Sequence, residues 1–528
     1  MKKSARRMLV FVLAIMMVVS LAACNGGSGS SGQSSSGGGG STSSGSDSSG
    51  AVRDTLKVAV TDDNGTLDAM NVTGQSFMEV VRTFMDVLFE YKPDGSISWG
   101  LATSMEAVSD IQYTLKLREG VTFSNGNTFD ADDVMFSLEL NQIDPRNQLN
   151  VKVIDFDKTK KVDDYTIDLW LTHYDVTQFP GFFLVYIYDK ESYDAAEIAT
   201  NPIGTGPYVV TDYVINSYVH VEARDGYWGD APGIKKIEFL VMNEDSQRVN
   251  AVETGAVDMA VIPAKDVQYV ESLGTYNVVT TPVVATSTAY LNCSPTGTPL
   301  NSVEAREAVM HAIDRDAIRE LLYNGTGTIP SWPISDHCVD FEPRFSNMDE
   351  TYSVGYDPDK ARALAEQSGL VGQKLRITTN GAGEYIRTAE IIQNGLEAIG
   401  VESEIINYDQ GTYIGVVSDP TQFDIAVYYT DAGSGMGVDI LAMYPLFFPL
   451  GWEGANHDAY MELGQKATGT RDEAARSEML YELLEMFYID QPWYELAEMS
   501  RTTVYASDIS GIEYYVINYV RFNDWSFS

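Results

Sequence analysis

Residues 113–134 read YTLKLREGVTFSNGNTFDADDV and contain the signals of both a strand and a helix start. The first residues of this stretch alternate, so Tyr113, Leu115 and Leu117 face one side of a strand while polar side chains face the other. Gly120 then marks a turn. The stretch therefore begins with a half-buried strand.

The end of the same stretch predicts the start of a helix. Asp130 is a typical N-cap residue, and Asp133 stands three positions later, as in a capping box. We expect this helix to continue through Leu140. A second alternating strand follows at residues 165–171.

Hydrophobic periodicity and the signals of helix ends predict further elements on both sides of residues 113–134. They are a strand at residues 55–60, a helix at 77–89, a helix that Asn301 caps and Gly325 ends, helices at 358–369 and 387–400, and a strand at 401–406. Helices and strands that alternate in this way predict α/β layers.

Composition limits the class of protein. The 528 residues include 35 Lys and Arg against 75 Asp and Glu, for a net charge of −40. An apolar content of 44% with 21% charged residues is typical of a folded chain, and the length predicts two or three lobes. The negative charge excludes a nucleic-acid partner, because phosphate binding needs a basic surface.

The first 23 residues are typical of an export signal. Four basic residues precede an apolar run at residues 8–21, which is interrupted only by Ser20 and is short for a membrane span. The run ends in LAAC, which resembles the bacterial lipobox. We expect cleavage before Cys24 and acylation of that residue, with an uncleaved anchor or an ordinary secretory signal as the alternatives.

Residues 24–50 would then form a lipidated tether. Residues 25–50 hold 10 Gly and 12 Ser and no apolar side chain. Such a chain is flexible and spans roughly 28 Å. The sequence predicts a protein anchored by lipid to the outer face of the bacterial cytoplasmic membrane.

Six segments, in order, resemble one family: the extracytoplasmic solute-binding proteins of ABC importers, family 5, the peptide- and nickel-type group. The segments are residues 113–134, 201–208 (NPIGTGPY), 250–258, 306–315, 356–364 and 393–401. The resemblance implies an α/β fold, a two-lobed periplasmic-binding-protein-like (type II) clamp with an additional α+β domain inserted in the first lobe.

The resemblance also implies a division of the chain. Lobe I would take residues 51–95, 200–281 and 503–528, the inserted domain II residues 96–199, and lobe III residues 282–502. Strands at 280–291 and 502–516 would cross between the lobes. The implied function is capture of a small solute, with a peptide as the default, by a monomer that delivers it to permease subunits without a catalytic step or cofactor.

The family places an Asp after the strand that follows a Phe-Asp pair, and this Asp pairs with the peptide's α-ammonium. Here FDIAVYYTD ends at Asp431, beside Tyr429 and Thr430. The alternative is a solvated loop Asp. Residues 432–437, AGSGMG, depart from the family pattern, and Gly433 would let backbone N–H groups approach a ligand.

Four more candidates follow from the resemblance. Trp332 lies in a loop rich in Gly and Pro that borders the cleft, where it would stack on a ligand or pack its loop onto the core. Tyr290 and Asn292 end a crossing strand and would line the pocket. Gln75 belongs to a loop that would cap the ligand.

Several alternatives stay open. The solute could be a sugar, an opine or a metal chelate, and a peptide-sensing signalling lipoprotein would share the fold. An exported hydrolase is the rival from another class, although the folded region has no Gly-x-Ser-x-Gly, His-Glu-x-x-His or Gly-rich phosphate motif.

The remaining cysteines leave two possibilities open. Cys293 and Cys338 would either form a disulfide after export or remain two thiols. The neighbouring residues Asp336, His337 and Cys338 do not predict a metal site, because ligands adjacent in sequence seldom converge on one ion.

Overall fold

The structure is a computed structural model that describes residues 53–72, 75–92, 96–145, 147–431, 435–447, 449–514 and 520–528. The predicted signal, Cys24, the tether and Gly433 lie outside these residues. The strands are β1 (Thr55–Val60), β2 (Phe89–Tyr91), β3 (Ile97–Trp99), β4 (Ala102–Ser109), β5 (Gln112–Leu117), β6 (Lys160–Asp163), β7 (Thr166–Trp170), β8 (Tyr208–Val214), β9 (Tyr218–Ala223), β10 (Lys236–Val241), β11 (Met259–Ile262), β12 (Tyr276–Leu291), β13 (Lys374–Thr379), β14 (Glu402–Asn407), β15 (Ile425–Asp431), β16 (Trp493–Ala506), β17 (Ile509–Ser510) and β18 (Ser526–Phe527).

The α-helices vary from one turn to five. They are α1 (Gln75–Val81), α2 (Ala131–Ile143), α3 (Asp245–Glu253), α4 (Val267–Leu273), α5 (Val303–Ala312), α6 (Arg315–Tyr323), α7 (Met348–Thr351), α8 (Pro358–Ser368), α9 (Gly383–Ala398), α10 (Gln410–Val417), α11 (Gly437–Phe447), α12 (Ala455–Thr468) and α13 (Glu473–Asp490).

A ten-stranded sheet runs in the order β14-β13-β15-β12-β16-β11-β1-β10-β9-β8. The strands β10, β1 and β11 are parallel in one half, and β14, β13 and β15 are parallel in the other. The two halves have separate cores, one around Phe77 and Phe239 and the other around Ala308 and Leu396. The predicted α/β layers are confirmed.

The strands β12 and β16 join the two halves as an antiparallel pair. Residues 276–282 of β12 pair with residues 500–506 of β16, and the pairing resumes at Thr286 with Glu498. The register shifts between Pro282 and Thr286. Because such an irregularity breaks ladder hydrogen bonds and bends the strand, the pair is weakest where it passes between the halves.

A separate four-stranded sheet, β4-β5-β7-β6, encloses its own core with α2. Leu115 of β5 and Val134 of α2 are both fully buried there. The side chain of Asp130 accepts a hydrogen bond from the N–H of Asp132 at 2.7 Å, and the carboxylate of Asp133 accepts the N–H of Asp130 at 2.9 Å. The predicted strand, turn and capping box are confirmed.

The helix predicted to reach Phe89 ends at Val81. Beyond it, the carbonyl of Phe84 accepts the N–H of Gly206 at 3.1 Å, within the segment NPIGTGPY. A Cβ on Gly206 would lie 2.6 Å from the carbonyl carbon of Phe84, so only glycine permits this approach. The apolar residues beyond Val81 are still buried, but on a non-helical path that this distant segment imposes.

Two further predicted boundaries are wrong. The helix expected over residues 301–325 is divided, because Asp314 caps α6 by accepting the N–H of Ala317 at 2.9 Å. The crossing strand expected over residues 502–516 begins earlier, at Trp493. Charged side chains inside this strand hide its apolar alternation: Glu495, Glu498 and Arg501.

The capping box of α2 gives a first test. We expect Asp130→Ala to lower the free energy of unfolding by about 1 kcal/mol, because an N–H of the first helical turn loses its acceptor. Urea unfolding followed by circular dichroism measures the change. Glu139→Ala removes the same charge from an exposed position of α2 and is expected to cost less than about 0.5 kcal/mol. Equal losses in the two variants would contradict the capping role.

Candidate functional site

The parallel strands of both halves end at the crossing of β12 and β16. Ile262, the last residue of β11, pairs with Thr502, and Asp431, the last residue of β15, pairs with Ala285. Both pairings are antiparallel, so the carboxyl ends of the two sets of parallel strands point toward the same crossing. In open α/β sheets, ligands bind outside these carboxyl ends. The geometry therefore places the candidate site at the crossing.

A network of hydroxyl groups and one carboxyl group holds the end of β15 beside the crossing. Glu495 Oε2 bonds to the hydroxyl groups of Thr286 and Thr288, the latter at 2.6 Å. Thr288 Oγ1 lies 2.7 Å from Thr430 Oγ1, which lies 2.8 Å from the hydroxyl oxygen of Tyr290. All five side chains are buried, so the network connects β12, β15 and β16 beneath the surface.

The environment of the carboxyl group in this network favours its neutral form. Burial raises the pKa of Glu495 to about 8, although hydrogen bonds from the threonine hydroxyls act in the opposite direction. Its other oxygen, Oε1, has no hydrogen-bond partner in the described part of the chain. A buried charge without a counter-charge is costly, so protonation is the cheaper state. The crossing thus contains a polar group without a net charge.

Tyr429 adds an aromatic surface next to this network. Its ring is half-buried, and the ring centroid lies 4.4 Å from that of Tyr428. The ring of Tyr428 lies 5.5 Å from Tyr385 and 5.4 Å from Tyr413. Aromatic rings beside polar groups suit a ligand that carries both apolar and polar parts.

A buried ion pair ties β16 to α1 on the other side of the crossing. Arg501 Nη2 donates to Glu79 Oε2 at 3.0 Å, and both residues are less than a tenth exposed. Glu79 Oε1 accepts the N–H of Val520 at 3.3 Å. Burial raises the pKa of Glu79, and Arg501 opposes that shift. The pair anchors α1, whose first residue is Gln75, so the expectation that Gln75 belongs to a loop is corrected.

The structure brings four of the eight predicted ligand-binding residues together. Tyr429, Thr430 and Asp431 are successive residues at the end of β15, and the hydroxyl of Tyr290 donates to the carbonyl of Tyr429 at 3.1 Å. Asn292 lies beyond the other end of β12, where its amide donates to backbone carbonyls just before β15. The expectation that Asn292 lines the pocket is therefore corrected, because this amide closes a turn.

Of the two predicted roles of Trp332, stacking on a ligand or packing its loop onto the core, the structure shows the second. Its ring is fully buried and stacks on Phe345, with centroids 5.2 Å apart and an interplanar angle of 13°. The side chain packs its loop onto the core and presents no face to a ligand in this structure.

The charged residues at the crossing were not predicted from the sequence. Glu495 and Arg501 both lie before the predicted crossing strand at residues 502–516, and no family motif marks them. The available signal is the charge itself, since a charged side chain inside an otherwise apolar strand needs a buried partner. Glu79 carries no such signal, because one acidic residue on a helix is usually solvated.

The two cysteines of the folded region do not form a disulfide in the structure. Cys293 and Cys338 are both buried, and burial raises the pKa of Cys293 to about 12. A thiol with so high a pKa is unreactive at neutral pH. Within the described ranges, no cluster of three His, Cys, Asp or Glu side chains could hold a metal ion. No helix in that part of the chain is long and apolar enough to cross a membrane.

The family model of bacterial extracellular solute-binding proteins, family 5 (middle part), matches residues 96–452. The chain therefore belongs to this family and is a solute-binding protein with the two-lobed type II clamp fold.

Individual relatives agree with this assignment. The glutathione-binding protein GsiB of Pectobacterium atrosepticum is 25% identical and aligns over 87% of this chain and 91% of its own length. DppA of Helicobacter pylori, an ABC transporter-associated periplasmic binding protein solved in complex with the peptide STSA, has a TM-score of 0.78 at 23% identity, covering 90% of this chain and 98% of that chain. A dipeptide-binding protein of Pseudoalteromonas sp. SM9913, solved with Met-Leu, has a TM-score of 0.79 at 19% identity, covering 90% of this chain and all of that chain.

The protonation of Glu495 predicts a pH dependence. A carboxyl group whose pKa is raised by folding stabilises the protein fully below the unfolded pKa, near 4.5, and loses that contribution as pH rises toward 8. Glu495→Gln keeps the shape without the titration. We expect the variant to gain stability relative to the wild type between pH 5 and 8, by up to about 1.4 kcal/mol per pH unit.

Thermal unfolding at several pH values measures this difference. Glu366→Gln, at an exposed position of α8, is the control and should give a curve parallel to that of the wild type. Parallel curves for Glu495→Gln as well would show that Glu495 is ionised in the folded protein.

Proposed function

We propose that this protein captures a peptide outside the bacterial cytoplasmic membrane and delivers it to the permease subunits of an ABC importer. Family membership supports the solute-binding role. Peptide chemistry is supported by the relatives, since GsiB is a glutathione-binding protein and the two solved structures hold STSA and Met-Leu. The observation that carries the proposal is the position of Asp431, at the carboxyl end of β15 and beside the crossing.

Asp431 would recognise the α-ammonium group of the peptide. A carboxylate in a cleft that excludes water is costly unless a cation neutralises it, which makes such a site selective for a positive group. Glu495 is close by in the same sheet, but its neutral form does not compete for that cation. Tyr429 would contact apolar parts of the peptide, and Gly433 would bring backbone N–H groups to it.

Binding would be coupled to closure of the two lobes. A ligand that contacts both halves gains more contacts in the closed arrangement, so it shifts the population toward closure. We propose lobe I at residues 51–95, 200–281 and 503–528, domain II at 96–199 and lobe III at 282–502. The register shift that begins at Pro282 supports the boundary between lobes I and III, because bending is easiest there.

The protein would act as a binder without a covalent step, as a monomer. Its family is one of solute-binding proteins, and capture followed by release needs only differential affinity between the open and closed states. The lipobox and the Gly- and Ser-rich segment support a lipid anchor at Cys24 that holds the clamp near the permease and lets it rotate.

Recognition of the α-ammonium group is tested with Asp431→Ala. Isothermal titration of the tetrapeptide Ser-Thr-Ser-Ala should show a Kd increase of about 30-fold or more, because a charge pair loses one partner. The N-acetylated tetrapeptide should bind both proteins with a similar, weak affinity. Asp359→Ala, at an exposed position of α8, is the control. Equal losses for both peptides would refute the role of Asp431, and the absence of any peptide binding by the wild type would refute the proposed function.

The anchor is tested with Cys24→Ala in the native host. We expect the wild type to sediment with membranes and its N-terminal peptide to carry acyl chains by mass spectrometry, while the variant is unmodified and leaves the membrane fraction. Ser28→Ala, in the tether, should behave like the wild type. A variant that stays on the membrane would show that another feature anchors the chain.

A further inference from the structure

One loop contacts both the crossing and the segment that follows β15. We call residues 326–341 the bridging loop. At its crossing end, Glu498 of β16 accepts hydrogen bonds from the hydroxyl of Ser335 at 3.0 Å, the N–H of Asp336 at 2.8 Å and the hydroxyl of Thr328. Glu498 is 2% exposed. It is also the residue at which β16 resumes its pairing after the register shift. One end of the bridging loop is therefore fixed to the crossing.

The other end of the bridging loop holds the start of α11. Asp340 accepts the N–H of Gly437 at 2.6 Å through Oδ1 and the N–H of Val438 at 3.0 Å through Oδ2. The N–H of Val339 donates to the carbonyl of Gly435 at 2.8 Å. Three hydrogen bonds thus bind the loop to Gly435, Gly437 and Val438.

Packing reinforces these hydrogen bonds. A Cβ on Gly437 would lie 2.6 Å from Cη2 of Trp332, so the helix can begin under the indole only because residue 437 is glycine. The indole itself is immobilised by its stack on Phe345. Residues 435–437, which end the AGSGMG segment that departs from the family pattern, thus pack against the bridging loop.

The helix α11 differs from α6 and α8 in the origin of the side chain that accepts hydrogen bonds from its first N–H groups. Asp314 caps α6 and Asp357 caps α8 from the residue directly before each helix. Asp340 is 97 residues away in sequence from the N–H group that it binds. A local cap stabilises only its own helix. An acceptor from a distant loop also fixes the position of one segment relative to another.

We propose that Asp340 is a positioning residue for the ligand, a conclusion that rests on the proposed function. The bridging loop is bound to Glu498 of the crossing on one side and to residues 435–438 on the other. Asp340 thereby sets where residues 435–438 lie relative to the crossing, at which Asp431 ends β15. Loss of Asp340 would leave Asp431 in its strand but free residues 435–438.

The test compares Asp340→Ala and Asp340→Asn with Asp357→Ala, which removes a local cap from a helix of the same lobe. The first readout is amide hydrogen exchange of the full-length protein. We expect exchange at residues 435–438 to accelerate in Asp340→Ala and, less strongly, in Asp340→Asn, since Asn retains one acceptor but turns a donor toward the second N–H. Asp357→Ala should accelerate exchange only at the start of α8.

The second readout is the Kd of the tetrapeptide Ser-Thr-Ser-Ala. We expect binding about tenfold weaker in Asp340→Ala, an intermediate loss in Asp340→Asn and less than about a twofold change in Asp357→Ala. Unchanged exchange at residues 435–438, or unchanged affinity despite faster exchange, would overturn the positioning role. If the wild type binds no peptide, the proposed function fails, while the exchange data still decide whether Asp340 holds the segment.

Discussion

The pairing of β12 with β16 is the constraint on which the rest of the structure depends. Each strand forms hydrogen bonds first with the sheet of one half and then with the sheet of the other. The register shift that begins at Pro282 interrupts the hydrogen-bond ladder between these two parts of the pair. A continuous ladder would resist bending. The pair connects the two halves, and its antiparallel pairing with β11 and β15 directs the ends of the parallel strands toward one region.

The pairing of β12 with β16 also explains why polar groups, which are costly to bury, are buried at the crossing. Glu495, Thr286 and Thr288 occupy buried strand positions that apolar side chains usually fill. On the other side of the crossing, Arg501 and Glu79 form a buried ion pair. Burial of these groups is tolerable because the hydroxyl groups, the neutral form of Glu495 and the ion pair remove most of the desolvation cost. A binding site for a polar solute needs polar groups close to the surface that contacts the solute.

Local signals in the sequence were sufficient where the interaction that ends or starts an element is itself local. The capping box of Asp130 and Asp133, the strand at residues 113–117 and the glycine that ends α8 depend on residues a few positions apart, and all are present in the structure. The motifs in order were sufficient to predict the family and its fold. The placement of Asp431 at a strand end also followed, because the resemblance to the family implies an Asp after the strand that follows the Phe-Asp pair.

Local patterns and motifs in the sequence were therefore sufficient for the class of fold and for the strand that leads to Asp431. Only the tertiary structure decided that the helix after Gln75 stops at Val81, that Trp332 is buried, and that Asn292 closes a turn away from the crossing. It also decided which groups form hydrogen bonds with Glu495, Arg501 and Asp340. Each of these outcomes depends on a contact between residues far apart in the chain, and periodicity carries no information about which distant backbone groups will meet.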